Sequence, residues 1–156
     1  MRIARAARAL DLPLPSPATP GSSGCDLHAA VERDLVVAPG DRALIPTGVS
    51  IALPAGYEAQ VRPRSGLALE HGILLPNAPG TIDCDYRGEV KVILLNAGEK
   101  AFTVRRGDRV AQLVVAPVAR VEWEEVSSLD TTRRGARGFG HSGHRSRTTS
   151  SEGEPS

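Results

Sequence analysis

The sequence predicts an all-β sandwich or barrel, and three observations carry that reading. Short apolar runs recur at roughly 8–12-residue spacing, each ended by turn residues. Sixteen Gly and twelve Pro are scattered along the chain, which favours many turns over long helices. Only five residues are Phe, Trp or Tyr, so Val, Ile, Leu and Ala must supply the core. At 156 residues the chain is one domain's worth and long enough to bury that core.

Residues 1–10 are basic and Ala-rich but lack the uninterrupted apolar stretch of a secretory signal, and they are read as a frayed first strand. Strand runs follow over residues 25–31 and 35–38, the second ending at Pro39-Gly40-Asp41. Residues 43–45 lead through Thr47-Gly48 into 49–53, closed by Pro54-Ala55-Gly56, and 57–61 form the next run. The single helix expected is Ser65–His71, with Ser65 as N-cap and Gly72 as its stop. Later runs cover 89–95, 101–104 and 110–118, separated by Asn96-Ala97-Gly98 and Arg106-Gly107-Asp108. Between Val90 and Leu95 apolar and polar residues stop alternating, so that strand is expected to be covered on both faces, by a second sheet or by another subunit. From residue 130 the composition turns to Thr, Arg, Gly, Ser and His, with Phe139 the only large apolar side chain. The chain is therefore divided into a β domain, 1–129, and a flexible tail, 130–156.

A net charge of +1 points to neither nucleic acid nor membrane, although residues 133–147 carry five Arg and no acid. No apolar run approaches the ~18 residues of a membrane span. Two cysteines, Cys25 and Cys84, make neither a disulfide framework nor a zinc site, and they read as reduced thiols of a cytoplasmic protein.

Five segments carry candidate chemistry. Asp26, within Gly24-Cys25-Asp26-Leu27, is a lone acid among small and apolar neighbours, which by itself reads as a turn former or a cap. In Arg62-Pro63-Arg64-Ser65-Gly66-Leu67, guanidinium groups, a hydroxyl and helix-terminal N–H groups converge as an oxyanion cradle, or else form a solvated basic turn. The segment 77–88 places the pair Asp83 and Asp85 after a Pro-Gly turn and before Tyr86 and Gly88. It reads as a hairpin with a flat pocket: backbone amides for a base, a ring to stack on, and a carboxylate able to take a proton from water. Gln112 is a neutral polar residue in an otherwise apolar strand. Residues 134–143 form a basic, glycine-rich stretch with one aromatic, suited to closing over a polyphosphate and a base. Its Gly-x-Gly-x-x-Gly match at 138–143 lacks the flanking strand and helix of a dinucleotide fold.

In this order the segments Ser23–Leu27, 62–68, 77–90, 106–113 and 134–143 resemble the five motifs of the trimeric deoxyuridine triphosphatase family. The resemblance implies a jelly-roll-like β fold and a homotrimer whose sites draw on more than one subunit. It implies Mg²⁺-dependent hydrolysis of dUTP to dUMP and pyrophosphate, which lowers dUTP and supplies dUMP for dTMP synthesis. Carried over by motif, Asp83 is the general base. Tyr86 packs under the deoxyribose, and Asn77 with Gly80, Thr81 and Ile82 reads the uracil. Arg64, Ser65, Gly66 and Gln112 hold the phosphates. Asp26 acts on Mg²⁺ through bound water, the ion being held mainly by the substrate phosphates. From the tail, Arg134 and Ser142 reach the γ-phosphate and Phe139 covers the base. Two positions depart from the family pattern: Arg137 stands where Gly is common, and His141-Ser142 where Ser-Thr is common. Competing expectations are a deoxycytidine triphosphate deaminase of the same fold, whose chemistry calls for a glutamate where Asp83 stands, a nucleotide-sensing protein without turnover, and a basic-tailed nucleic-acid binder.

Overall fold

The computed structural model describes residues 1–138. The chain divides into two compact units, Met1–Arg120 and Val121–Ser156. The first holds every described element: β1 (Arg2–Arg5), one 3-10 turn (Ala7–Ala9), β2 (Cys25–His28), β3 (Leu35–Val37), β4 (Arg42–Ala52), β5 (Tyr57–Arg62), α1 (Ser65–His71), β6 (Ile73–Leu74), β7 (Gly80–Ile82), β8 (Glu89–Asn96), β9 (Phe102–Val104) and β10 (Arg109–Pro117). In the second, residues 121–138 form exposed irregular chain, with Trp123 and Leu129 open to solvent.

Two four-stranded antiparallel sheets, ordered β1-β4-β8-β6 and β2-β10-β5-β7, and a small β3-β9 ribbon make the sandwich. Its core is aliphatic, as the shortage of aromatics requires: Leu27, Ile45, Val61, Ile73, Val90, Val92, Leu94, Val104 and Val110 are among the residues that close it. On β8 the side chains of Val90, Val92, Leu94 and Asn96 are buried, while Lys91 is exposed and Ile93 and Leu95 are half-buried. Register places Leu44 opposite Ile93 and Leu74 opposite Leu95, so an apolar stripe crosses the outer face of this sheet. Leu44 is 55% and Leu74 40% exposed. Within one chain, β8 is thus covered on one face only.

Three sequence expectations change. The runs around Thr47-Gly48 form one strand, β4, interrupted by a bulge between Pro46 and Ser50. Gly48 serves that bulge with φ +70°, Thr47 Oγ1 donates to the Val90 carbonyl, and Glu89 Oε1 accepts the Gly48 N–H at 2.7 Å. The expected hairpin over 77–88 is instead a crossover: β7 pairs with β5 in one sheet, β8 with β4 and β6 in the other. Finally, Arg64 rather than Ser65 caps α1. Arg64 is extended (φ −96°, ψ 127°) and makes no side-chain cap bond, so Ser65 is the first helical residue. Gly72 does end the helix, in the left-handed conformation at φ +68°.

The N-terminal segment docks through a fork. Arg106 donates to both Asp11 oxygens, at 2.7 and 3.0 Å, and to the Val31 carbonyl at 3.0 Å. The Arg106 hydrogen bond, reinforced by a backbone N–H, holds the Asp11 carboxyl below its ordinary value. Because the folded-state pKa is the lower one, this contribution is fully present above about pH 4 and is lost as pH falls through the depressed value. We expect the protection factors of amides in residues 2–12, relative to those of the core, to be flat from neutrality to about pH 4 and to fall below it. Asp11→Asn should remove that acid limb; an unchanged acid limb in the variant would refute the fork.

Candidate functional site

The second sheet positions most of the polar residues singled out by sequence. Gln112 lies on β10, between Asp26 on β2 and Arg62 on β5. Asp26 is 5% exposed, and a carboxylate so placed needs compensation. It has two guanidinium partners: Arg64 Nε at 3.4 Å from Oδ1 and Arg109 NH1 at 3.1 Å from Oδ2. Gln112 Nε2 donates to Oδ1 at 3.4 Å, and Arg64 NH1 donates to the Arg109 carbonyl at 3.1 Å. Two cations around one anion leave a surplus of positive charge facing outward, suited to a polyanion. Gly24 makes room for this arrangement, since a Cβ there would sit 3.2 Å from three Gln112 side-chain atoms.

His28 adds no charge to the cluster at neutral pH. Burial pushes its pKa down, the Asp26 carboxylate opposes that, and Arg109 and Arg64 reinforce it. Its Nδ1 is buried without a hydrogen-bond partner. Ser65 and Gly66 follow Arg64 at the exposed start of α1, and nothing lies within 4 Å of where a Gly66 Cβ would project. Sequence reasoning passed over Arg109. Its sole signal was indirect: a buried Asp26 demands cations, and the β2–β10 pairing brings one across the sheet.

A second group surrounds a cavity of about 330 Å³ lined by Asn77, Thr81, Ile82, Asp83 and Tyr86, with Leu44, Glu89, Val90, Lys91 and Ile93. β7 is an edge strand, so one side of its backbone is free to meet a ligand. Asn77 is seated against it: a Cβ on Gly80 would lie 2.9 Å from Asn77 Nδ2. The turn after β7 is closed by the Tyr86 N–H on the Asp83 carbonyl at 3.1 Å, and by Arg87 NH1 on the Cys84 and Tyr86 carbonyls. Tyr86 Oη donates to the Glu89 carbonyl at 3.0 Å and passes directly over Gly88. Of the acidic pair, Asp83 lines the cavity and Asp85 does not.

One chain does not bring the two groups together. Asp26 and the turn carrying Asp83 belong to opposite edges of the sheet, three strand steps or roughly 14 Å apart. Arg64, Ser65, Gly66 and Gln112 are absent from the lining of the Asp83 cavity. Arg134 lies in the second unit, where its Nε donates to the Arg137 carbonyl at 3.0 Å. Phe139 and Ser142 lie outside the described residues.

Comparison with known proteins agrees with both fold and motifs. The dUTPase family matches residues 11–143. A deoxyuridine 5'-triphosphate nucleotidohydrolase of Anaplasma marginale (strain St. Maries) is 59% identical over 143 residues, covering 92% of this chain and 97% of the relative. One from Ehrlichia canis (strain Jake) is 58% identical over 135 residues, covering 85% and 88%. Among solved structures, the Staphylococcus bacteriophage 80alpha dUTPase with dUpNHpp superposes with a TM-score of 0.79 at 22% identity, covering 91% of this chain and 98% of that one. A mutant dUTPase of phage phi11 of S. aureus, described for its coordination of a structural Mg(II) ion, gives 0.70 at 20% identity, covering 82% and 98%. The sandwich carries an acid-bearing edge-strand turn and a separate cluster of guanidinium groups. The chain belongs to the dUTPase family.

Tyr86 supplies a test of the cavity's construction. A Cβ on Gly88 would fall 2.3 Å from Tyr86 Oη, so Gly88→Ala must swing the ring away from the Glu89 carbonyl. Because Tyr86 is 45% exposed, the ring has space to move, and stability should change by less than about 1 kcal/mol. Tyr86 ring resonances in NMR should shift while the melting temperature holds; unshifted resonances would mean that Gly88 does not set the ring.

Proposed function

We propose that this chain hydrolyses dUTP to dUMP and pyrophosphate, with Asp83 as the general base. The observation that carries this reading is the turn after β7, which presents Asp83 on the lip of a nucleoside-sized cavity beside Tyr86 and a free strand edge. Two relatives named deoxyuridine 5'-triphosphate nucleotidohydrolase, near 60% identity, support it. The backbone of Gly80, Thr81 and Ile82, with Asn77, offers fixed donors and acceptors to the uracil edge. Cytosine mismatches that pattern, and a site built from hydrogen bonds discriminates strongly. Tyr86 packs under the deoxyribose and leaves no room for a 2′-hydroxyl. Arg64, Ser65, Gly66 and Gln112 bind phosphate oxygens, with Asp26 holding Arg64 and Gln112 in place from below.

The phosphate group and the base group lie apart in one chain, so a complete site requires a second copy. A homotrimer satisfies this, and it covers the apolar stripe of Leu44, Leu74, Ile93 and Leu95. Residues 130–156 then close as a lid, Arg134 and Ser142 on the γ-phosphate and Phe139 over the base. The two free thiols, Cys25 and Cys84, suit a cytoplasmic location, and no described helix is long and apolar enough to cross a membrane.

The donor set fits a Mg²⁺ ion held mainly by substrate. Among the described residues no three His, Cys, Asp or Glu side chains cluster around a cation position, and Mg²⁺ commonly takes its ligands from phosphates, water and one or two carboxylates. Asp26 retains acceptor capacity beyond its three partners and would reach such an ion through water. When bound, Mg²⁺ neutralises charge on the pyrophosphate leaving group. Asp83 removes the proton from a water in line with the α-phosphorus, while Gln112 and Ser65 donate to the oxygens on which charge develops.

With Mg²⁺ and dUTP, dCTP, TTP and UTP as separate substrates, pyrophosphate should appear from dUTP alone and vanish with EDTA. Ammonia from dCTP would move the chain to the deaminase chemistry. Asp83→Asn should lower kcat by on the order of 10²-fold or more with nucleotide affinity nearly intact, and near-normal turnover would remove Asp83 from its role. Deleting residues 130–156 should leave a trimer by sedimentation with little turnover. Full turnover would refute the lid, and a monomer would refute the placing of the trimer contact on the β domain.

A further inference from the structure

α1 carries Ser65 and Gly66 in its first turn and follows directly on Arg64, yet none of its side chains is fully buried. Leu67 rests half-buried against the core, and the helix is otherwise held at its two ends. The first end is Arg64, held by the Asp26 carboxylate and the Arg109 carbonyl. The second end is a backbone contact that the phosphate chemistry does not use. Gly72, in the left-handed conformation, returns its N–H to the Ala68 and Leu67 carbonyls and packs on Gly98. A Cβ on Gly98 would lie 2.4 Å from the His71 carbonyl oxygen, and one on Gly72 would lie 2.6 Å from the Gly98 nitrogen. Both collisions are with main chain, which has no rotamer to yield.

Asn96 holds that contact. It is fully buried at the end of β8, and every polar atom it has is used. Its Nδ2 donates to the Val37 and Lys100 carbonyls, each at 2.8 Å, and its Oδ1 accepts the Gly98 N–H at 2.9 Å. Its own backbone bonds to Asp41 and Gly40 at 3.1 and 2.7 Å. The Ala97 N–H then reaches the Gly72 carbonyl at 2.9 Å, and the His71 and Phe102 rings meet at 5.3 Å between centroids. The side chain of a core strand is thereby tied, through one short loop, to the far end of the helix.

We infer that Asn96, Gly98 and Gly72 form a clamp that positions α1, and through it Arg64 and Ser65, for the triphosphate. The inference rests on the reading of Arg64 and Ser65 as phosphate ligands. Seven helical residues span roughly 10 Å, so α1 passes a displacement at His71 to Ser65 as a nearly rigid body. The cavity at Asp83 is lined from β7, the turn that follows it, Leu44 and the Glu89–Ile93 stretch of β8, and none of Gly72, Asn96 and Gly98 lines it. Asn96 and Gly98 are positioning residues: they touch no substrate, and they act on the phosphate end of the nucleotide and not on its base.

The test is calorimetric binding of two probes to the full-length protein, dUMP and the triphosphate analogue dUpNHpp with Mg²⁺, alongside dUTP kinetics. Gly98→Ala should weaken dUpNHpp and lower kcat/KM by about 10- to 100-fold, the scale of a 1 Å misplacement, while dUMP affinity stays within about twofold. A merely structural role would weaken both probes together, and that result, or no change in either, overturns the clamp. If Gly98→Ala does not fold, His71→Ala removes the ring contact without a backbone collision; it should show the same split in smaller degree, and its absence also overturns the clamp. Arg64→Ala separates the two layers of the argument. If it fails to weaken dUpNHpp, the phosphate reading falls and the clamp with it. If it weakens dUpNHpp and Gly98→Ala does not, the clamp alone falls.

Discussion

Asp26 is the charge on which the arrangement of the second sheet depends. A carboxylate buried beside an aliphatic core is tolerated when cations and hydrogen bonds replace its lost water. Meeting that demand recruits Arg109 and Gln112 from β10 and Arg64 from the entry to α1. One residue thus ties together two strands and the helix. The same grouping leaves more positive than negative charge at the surface, so what the burial of Asp26 requires is also what a polyphosphate would meet. On the proposed function, the structural demand and the binding chemistry fall to the same side chains.

Close backbone approach is the second constraint, and it is enforced by glycine at a few positions. Gly88 lets Tyr86 lie flat on its own turn and reach the Glu89 carbonyl. Gly72 and Gly98 bring two main chains into contact behind α1, with Asn96 supplying the hydrogen bonds that the loop would otherwise lack. A side chain at Gly88 is relieved by turning the exposed Tyr86 ring, whereas one at Gly72 or Gly98 meets main chain, which no rotamer change can relieve. These contacts fix the backbone of the turn after β7 and of the loop behind α1.

The incompleteness of the single chain has a common origin with its open face. β7 and β2 form opposite edges of one sheet, which keeps Asp83 away from the Asp26 cluster. The other sheet leaves Leu44, Leu74, Ile93 and Leu95 outward. Both features are unsatisfied in a monomer, and both would be met if copies of the chain packed against one another, as proposed above.

Most of the strands were legible in the sequence, because alternation, turn residues and a lack of aromatics are local signals. Asn77, Thr81, Ile82, Asp83 and Tyr86 were legible as one group because they are neighbours along the chain. The elements misread were those settled by partners distant in sequence. Thr47-Gly48 looks like a break, but pairing with β8 before and after it, and the Glu89 carboxylate of that same strand, make it a bulge. The turn over 77–88 looks like a hairpin, but its two arms find better partners in different sheets. Ser65 looks like a cap until the backbone of Arg64 takes that place. Arg109 had no local signal at all. By itself the sequence determined the all-β class and the helix with its Gly72 stop, both carried by residue type and short spacing. Only the tertiary structure decided which cations meet Asp26, which acid of the pair faces the cavity, and how far the Asp26 cluster stands from that cavity. Those depend on strand order and register, which join residues tens of positions apart and leave no trace in local pattern.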